Sequence, residues 1–263
     1  MKILVCIKQV PGSSNVQVDP VTGVLIRSGI QNKMNPYDLY GIETALTLAE
    51  KYGGEVEVIT MGPPPAKAVI IEAVAMGAKC GTVLSDRKFA GADVHATSYA
   101  IKCGIEKMGN FDLIICGKQT TDGDTAQVGP ETAEWLGIDH VTNVSSIDKV
   151  EEDGITVTFS LDDAIQTQKM TFPCLITVEK DAFTPRLPSY KRKREINEAD
   201  CITVYTASDL PSLDESLCGL KGSPTQVERI FPPEKNVEKE MFRGSEDKLA
   251  SALHSLLKER KFL

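Results

Sequence analysis

Fourteen consecutive residues carry the densest chemistry in the chain: Cys116-Gly117-Lys118-Gln119-Thr120-Thr121-Asp122-Gly123-Asp124-Thr125-Ala126-Gln127-Val128-Gly129. Hydroxyls, carboxamides, glycines and backbone N–H groups dominate, with few bulky side chains. That composition suits the phosphates and ribose of a nucleotide. An apolar run at 111–116 precedes the stretch and a helical pattern at 131–136 follows it, so it reads as a strand-to-helix loop. Open α/β sheets bind ligands at such loops, outside the carboxyl ends of parallel strands. Two starts are open for the following helix. If it begins at Thr125, Pro130 lies beyond the first turn, where it removes a donor and disfavours helical geometry at Gly129. If it begins at Pro130, residues 122–129 are loop with their amides exposed. In both cases N–H groups crowd a positive helix end and can serve a phosphate. The simpler reading is that Asp122, Asp124 and Thr125 only cap the helix.

Other chemistries find little support. No G-x-G-x-x-G follows the first apolar run. Gly117-Lys118 lacks the earlier glycine of a P-loop, and Gln119 stands where Ser or Thr belongs. No G-x-S-x-G is present. Seven cysteines are scattered without a C-x-x-C pair, a pattern of reduced thiols that points to the cytoplasm. His95, His140 and His254 are far apart in sequence, so no metal site is expected. With no evident nucleophile or general base, a catalytic side chain is not assigned. Any chemistry falls to a bound cofactor.

The elements that must position the loop follow from periodicity. The chain has 263 residues, 41% of them apolar, and a formal net charge of −8, which argues against nucleic acid as the main partner. No window reaches the apolar length of a membrane span and no signal peptide is evident, so membrane insertion is not expected. Residues 3–7 form a continuous apolar run, the pattern of a strand covered on both faces. Strands at 55–61, 82–84 and 113–116 alternate with helices starting at Asn35-Pro36, ending before Gly77, and spanning 94–108. In the first of these, Asn35 can serve as N-cap and Pro36 as first helical residue. A hairpin is expected around 15–26. From 141 onward, alternating runs at 142–147, 155–161, 164–172 and 174–178 read as sheet-edge or antiparallel strands. The expectation is a doubly wound, mostly parallel α/β sheet, Rossmann-like, with an antiparallel addition and an extended C-terminal arm. The domain would span 1–190 and the arm with its terminal helix 191–263. Residues 198–244 are too polar to build a core of their own. The basic run Lys191-Arg192-Lys193-Arg194 reads as a solvated face. Leu249, Leu253, Leu256 and Leu257 recur at helical spacing near the end.

Together these features resemble the beta subunit of the electron-transfer flavoproteins. The resemblance is carried by the first strand, Met34-Asn35-Pro36-Tyr37-Asp38, Ala75-Met76-Gly77-Ala78, the 116–129 loop, and Leu187-Pro188 before the basic run. It implies an adenine-nucleotide site on Cys6, on Asn35, Pro36, Tyr37 and Asp38, on Met61, and on Gly117, Lys118, Gln119, Thr120, Thr121, Asp122, Gly123, Asp124, Thr125, Ala126, Gln127 and Val128. Loop amides and Thr125 would meet phosphate, and Cys6 and Met61 the adenosine. It also implies an alpha-subunit partner carrying its own FAD, embraced by the arm, and a dehydrogenase-docking loop anchored by Leu187.

Two branches of that family differ at this site. One holds structural AMP. The other holds a second FAD, which takes a hydride from NADH and bifurcates the electrons to ferredoxin and, through the alpha-subunit FAD, to a flavin-dependent dehydrogenase of acyl-CoA or hydroxy-acid type. The loop is similar to the bifurcating pattern, because the AMP branch tends to carry a third acidic residue where Gly123 stands. An adenine-nucleotide sensor or ATP-using enzyme on a similar sheet is the alternative from another class, and the missing P-loop weighs against it.

Overall fold

The computed structural model describes residues 1–12, 17–18, 25–26, 32–228 and 241–263. The chain forms two compact units, Met1–Gln17 with Leu25–Glu228, and Val18–Val24 with Arg229–Leu263.

Strand β1 (Lys2–Cys6) opens the first unit, and four short strands follow: β2 (Gln9–Pro11), β3 (Gln17–Val18), β4 (Leu25–Ile26) and β5 (Asn32–Met34). β2 pairs with β5 and β3 with β4; the rest of the hairpin expected around 15–26 lies outside the described residues. The alternation then proceeds through α1 (Pro36–Tyr52), β6 (Glu55–Met61), α2 (Lys67–Met76), β7 (Cys80–Leu84) and α3 (Val94–Met108). It continues with β8 (Leu113–Gly117), α4 (Val128–Leu136), β9 (Asp139–Val150), β10 (Gly154–Ser160), β11 (Ile165–Thr171) and β12 (Cys174–Val178). Two short helices, α5 (Tyr190–Glu195) and α6 (Glu198–Cys201), lead into β13 (Ile202–Tyr205).

Among the described residues nine strands form one sheet, in the order β11-β10-β9-β12-β8-β1-β6-β7-β13. The six strands from β12 to β13 in that order run parallel, β9 joins β12 in parallel, and β10 and β11 add antiparallel. The apolar runs explain this arrangement. Ile3, Leu4 and Val5 are wholly buried, as are Leu113, Ile115, Leu175 and Ile176, which requires cover on both faces. Helices α1 and α2 supply one cover, packing Ile42, Ala45, Leu46, Val69 and Ile70 on Ile3, Val5, Val58 and Ile115. On the other face α3 and α4 set Tyr99, Ala100, Cys103 and Ala133 on Leu4, Ile59, Ile114 and Leu175.

Three expectations need correction. Strand β12 lies between β8 and β9 in the parallel part of the sheet, not at its edge. Its five residues are all buried, and a strand covered on both faces belongs inside. Helix α4 begins at Val128, between the two starts considered. Pro130 is then its third residue, where no intrahelical acceptor exists and the missing N–H costs nothing. Finally, part of the polar stretch after 198, expected in an arm laid across a partner, packs on this chain's own sheet. β13 closes the free edge of β7, and Ala207, Leu210 and Cys218 join the core over α3.

In the second unit, α7 (Glu246–Glu259) has Glu246 and Asp247 in its first turn and Lys258 in its last, in keeping with the helix dipole. Leu249 and Leu253 on it are exposed. No helix among the described residues is long and apolar enough to cross a membrane.

Candidate functional site

Strands β1 and β8 are neighbours, with Cys6 opposite Cys116. Beyond β1 the chain turns to α1 on one face, and beyond β8 it turns to α4 on the other. The two departures open a crevice at the carboxyl edge, the place where such sheets accept ligands.

The first turn of α1 roofs the end of β8. A Cβ on Gly117 would stand 2.6 Å from Asp38 Oδ1, 2.7 Å from the Tyr37 carbonyl carbon and 2.9 Å from the Asp38 nitrogen. Only glycine admits this approach. Asn35 then ties the roof to the loop. It occupies the N-cap position of α1, but its side chain makes no capping bond. Instead its Nδ2 donates to Asp38 Oδ1 at 2.8 Å and to the Gln119 carbonyl at 2.9 Å, while its Oδ1 accepts from the Thr121 amide at 3.2 Å. Asn35 is wholly buried, so these partners replace water that it cannot reach. The capping role expected for it gives way to this network.

Asp38 completes the tie. Its Oδ2 accepts from the Lys8 amide at 2.6 Å, joining α1 to the segment after β1. Burial pushes its carboxyl up to about 7, against the opposing hydrogen bonds from Asn35 and Lys8 and the charge of Lys8. Lys8 Nζ in turn donates to both oxygens of Asp122 at 2.8 Å, bridging the segment after β1 to the loop after β8. Burial alone would raise Asp122, but the hydrogen bond and charge of Lys8 outweigh it and hold the carboxyl below its ordinary range.

Within the loop, Asp124 accepts from Gln119 Nε2 at 2.9 Å, and its own amide donates to the Thr120 carbonyl at 2.9 Å. Asp124 and Ala126 take positive φ, 52° and 55°, conformations that are costly for residues with a Cβ. This path leaves the amides of Thr125, Ala126, Gln127, Val128 and Gly129 without an acceptor among the described residues. Thr121 to Gln127 are exposed, and Val128 is half-buried. Gly129 is buried, and the other four donors, Thr125 to Val128, form an anion-seeking surface at the positive end of a helix.

The remaining expected residues are disposed around this centre. Cys6 ends β1, nine-tenths buried, and its hydrogen bond to Cys116, reinforced by burial, pushes the Cys116 thiol well up. The Cys116 thiol is therefore not primed as a nucleophile. Met61 ends β6 on the other side of β1, half-buried. Pro36 and Tyr37, also half-buried, form the first turn of α1. Lys118 is turned away: its amide donates to the Val178 carbonyl at 3.0 Å and its Nζ to Glu179 at 2.8 Å, so its charge is committed to the end of β12. Gly123 is open, since a Cβ there would meet only Thr120 Oγ1 at 3.5 Å. Lys8 was not among the expected residues. Its position two residues after Cys6, at the mouth of the crevice, was the available signal.

Leu187 lies elsewhere, in the segment between β12 and α5, with 88% of its surface exposed. It belongs to no core. Beside it, Arg186 is fixed to α1: its amide and guanidinium bond Glu43, the Nε–Oε2 distance being 2.9 Å, and Nη1 reaches Glu50 at 2.5 Å. The basic residues 191–194 of α5 are exposed.

A mostly parallel sheet wound in both directions from β1, helices on both faces and a polar loop at the strand ends define an α/β protein with a crevice at its switch point. Comparison with known proteins sharpens this. The model described as the electron transfer flavoprotein domain matches residues 22–203. The electron transfer flavoprotein subunit beta of Clostridium acetobutylicum is 41% identical over 265 residues, covering 100% of both chains. That of Thermoanaerobacterium thermosaccharolyticum is 43% identical over 245 residues, or 93% of each chain. The caffeyl-CoA reductase-Etf complex subunit CarD of Acetobacterium woodii is 41% identical over 265 residues, again 100% of both. The chain belongs to the electron transfer flavoprotein family and resembles its beta subunits along its whole length.

Proposed function

We propose that this chain is the beta subunit of a heterodimeric electron transfer flavoprotein and that the β1/β8 crevice holds FAD. The observation that carries this reading is the run of amides from Thr125 to Gly129, at the start of α4, without an acceptor among the described residues. Dipolar donors at the positive end of a helix fit a diphosphate. Asp122 and Asp124, being anionic, suit ribose hydroxyls rather than phosphate. Cys6 and Met61 offer soft, apolar contacts to an adenosine. Gly123, under no steric demand from its own chain, leaves room for a ligand larger than AMP to approach the backbone.

When bound, FAD supplies hydride uptake from NADH and single-electron delivery to ferredoxin and, through an alpha-subunit FAD, to a flavin-dependent dehydrogenase. The chain's own residues bind and orient. Asn35 fixes the loop to α1, Asp38 fixes α1 to the segment after β1, and the loop amides hold the phosphates. An acyl-CoA-type dehydrogenase as partner is supported by the name of the A. woodii relative, a subunit of a caffeyl-CoA reductase complex. Leu187, exposed beside the clamped Arg186, is the anchor assigned to that partner. The arm expected over 191–263 is assigned to the alpha subunit through its part beyond 228, since residues up to Glu228 belong to the first unit.

The test is the nucleotide content of the heterodimer, released by denaturation and separated. Two FAD per heterodimer support this reading, to be followed by NADH-driven ferredoxin reduction. One FAD and one AMP return the chain to the non-bifurcating branch. Absence of any adenine nucleotide assignable to this chain refutes the site.

A further inference from the structure

The reading of the crevice as a nucleotide site leaves one contact without a role, the ion pair across its mouth. Lys8 is anchored at its root, because its amide donates to the buried Asp38 carboxyl at 2.6 Å. Its side chain is free to pivot, and its ammonium places 2.8 Å contacts on both oxygens of Asp122. The two side chains keep 43% and 32% of their surface exposed. An ion pair so wetted is weakly held and screened by salt. The loop amides from Thr125 to Gly129 offer partial charges only. The neighbouring cation, Lys118, is committed to Glu179 at 2.8 Å. A phosphate entering beside the loop amides would face the anionic Asp122 and Asp124, unless a full positive charge were transferred to it.

We propose that Lys8 is a phosphate-binding residue of this site, held in reserve by Asp122 and exchanged from that carboxylate to the phosphate of an entering nucleotide. The inference rests on the nucleotide reading given above. The exchange is suited to lysine, a point charge on a flexible stem with three rotatable donors, which can change partners without loss of geometry. Because the backbone of Lys8 stays fixed on Asp38, the exchange needs only side-chain rotation. Asp122 is then a competitor for the cation: it keeps the lysine in place before binding and opposes binding by its own charge. The two residues of one salt bridge should therefore act on affinity with opposite signs.

The experiment measures dissociation constants of adenosine, AMP and ADP for the full chain, freed of copurified nucleotide, by titration calorimetry. Lys8→Met is expected to weaken AMP and ADP about tenfold, the scale of one charge-assisted hydrogen bond, with adenosine unchanged. Lys8→Arg should restore much of the loss. Asp122→Asn should tighten AMP and ADP about threefold to tenfold, again sparing adenosine, and the gain should shrink as salt is raised. If both Lys8→Met and Asp122→Asn weaken AMP and adenosine alike, the pair is a structural strap and the proposal is wrong. It is equally wrong if neither variant moves AMP. If the unaltered chain binds none of the three compounds, the nucleotide reading itself falls, an outcome distinct from the other two.

Discussion

Replacing Gly117 with alanine tests the close approach on which the crevice is built. The added methyl would lie 2.6, 2.7 and 2.9 Å from Asp38 Oδ1, the Tyr37 carbonyl carbon and the Asp38 nitrogen, against ordinary contacts of about 3.5–4 Å between such atoms. Two of these atoms are backbone of the 17-residue α1. The third is fixed by Asn35. None can rotate away, so the first turn of α1 must shift outward. Overpacking of this kind costs about 1–3 kcal/mol, and the rigidity of the neighbours puts Gly117→Ala near the upper figure. For a chain of this size, 3 kcal/mol corresponds to a fall in Tm of about 6–12 °C. The shift also stretches the Asn35 bonds to Gln119 and Thr121, so retained nucleotide should fall with stability. Gly123→Ala is the control. Its nearest neighbour would be 3.5 Å away and its φ is not positive, so stability should change by no more than about 0.5 kcal/mol. On the FAD reading, the same control should lower FAD content and spare AMP. Thermal unfolding and released-nucleotide analysis read both variants. An unchanged Tm for Gly117→Ala, or an equal fall for Gly123→Ala, would refute the packing argument.

Asp38→Asn probes the buried carboxyl. Its folded pKa of about 7 lies above the ordinary 3.8, so its stabilising contribution is complete below about pH 4 and is lost as pH rises through 7. The difference, at about 1.4 kcal/mol per unit, bounds the effect at roughly 4 kcal/mol. Denaturant midpoints between pH 5 and 8 should therefore fall more with rising pH in the native chain than in the variant, and parallel pH dependence would contradict the assignment. Leu187→Ala should weaken electron transfer to the dehydrogenase, followed as flavin-coupled reduction, with nucleotide content and Tm unchanged; loss of nucleotide would show a structural role. Arg186→Ala, which frees the segment from Glu43 and Glu50, should raise the dehydrogenase concentration needed for half-maximal rate more than it lowers the limiting rate, and Arg186→Lys should recover part of that loss. An unaltered half-saturation in Arg186→Ala would remove it from docking.

Much of the architecture could be read locally. The apolar run of β1 and the stripe of α3 announce themselves, and α3 spans the residues its periodicity indicates, Val94–Met108. Sheet order could not be read in that way. Cys174 to Val178 have the composition of a buried strand, but their place beside β8 depends on partners some 60 residues distant. Ile202–Tyr205 is too short and too polar in context to stand out, and becomes a strand only because β7 has a free edge. The start of α4 was obscured because Ala126, a residue that signals no turn, takes a left-handed conformation just before it. At the site, residue types indicated the loop, whereas Asn35 looked like a cap. Its true partners, Gln119 and Thr121, are 84 and 86 residues away, and only the folded sheet brings them within reach.

The strand order also has a consequence for the chain during its synthesis. β1, β6 and β7 emerge first and can pair at once, but one edge of β1 is left bare until β8 arrives at Leu113–Gly117. The edge of β7 waits longer still, for Ile202–Tyr205. Unpaired edges of apolar parallel strands template wrong pairing, and nascent chains emerge at about 5–20 residues per second. The ribosome therefore releases a half-sheet that stays sticky for several seconds. Substitutions in β8 or β13 should depress soluble yield more than they depress the stability of whatever protein completes folding.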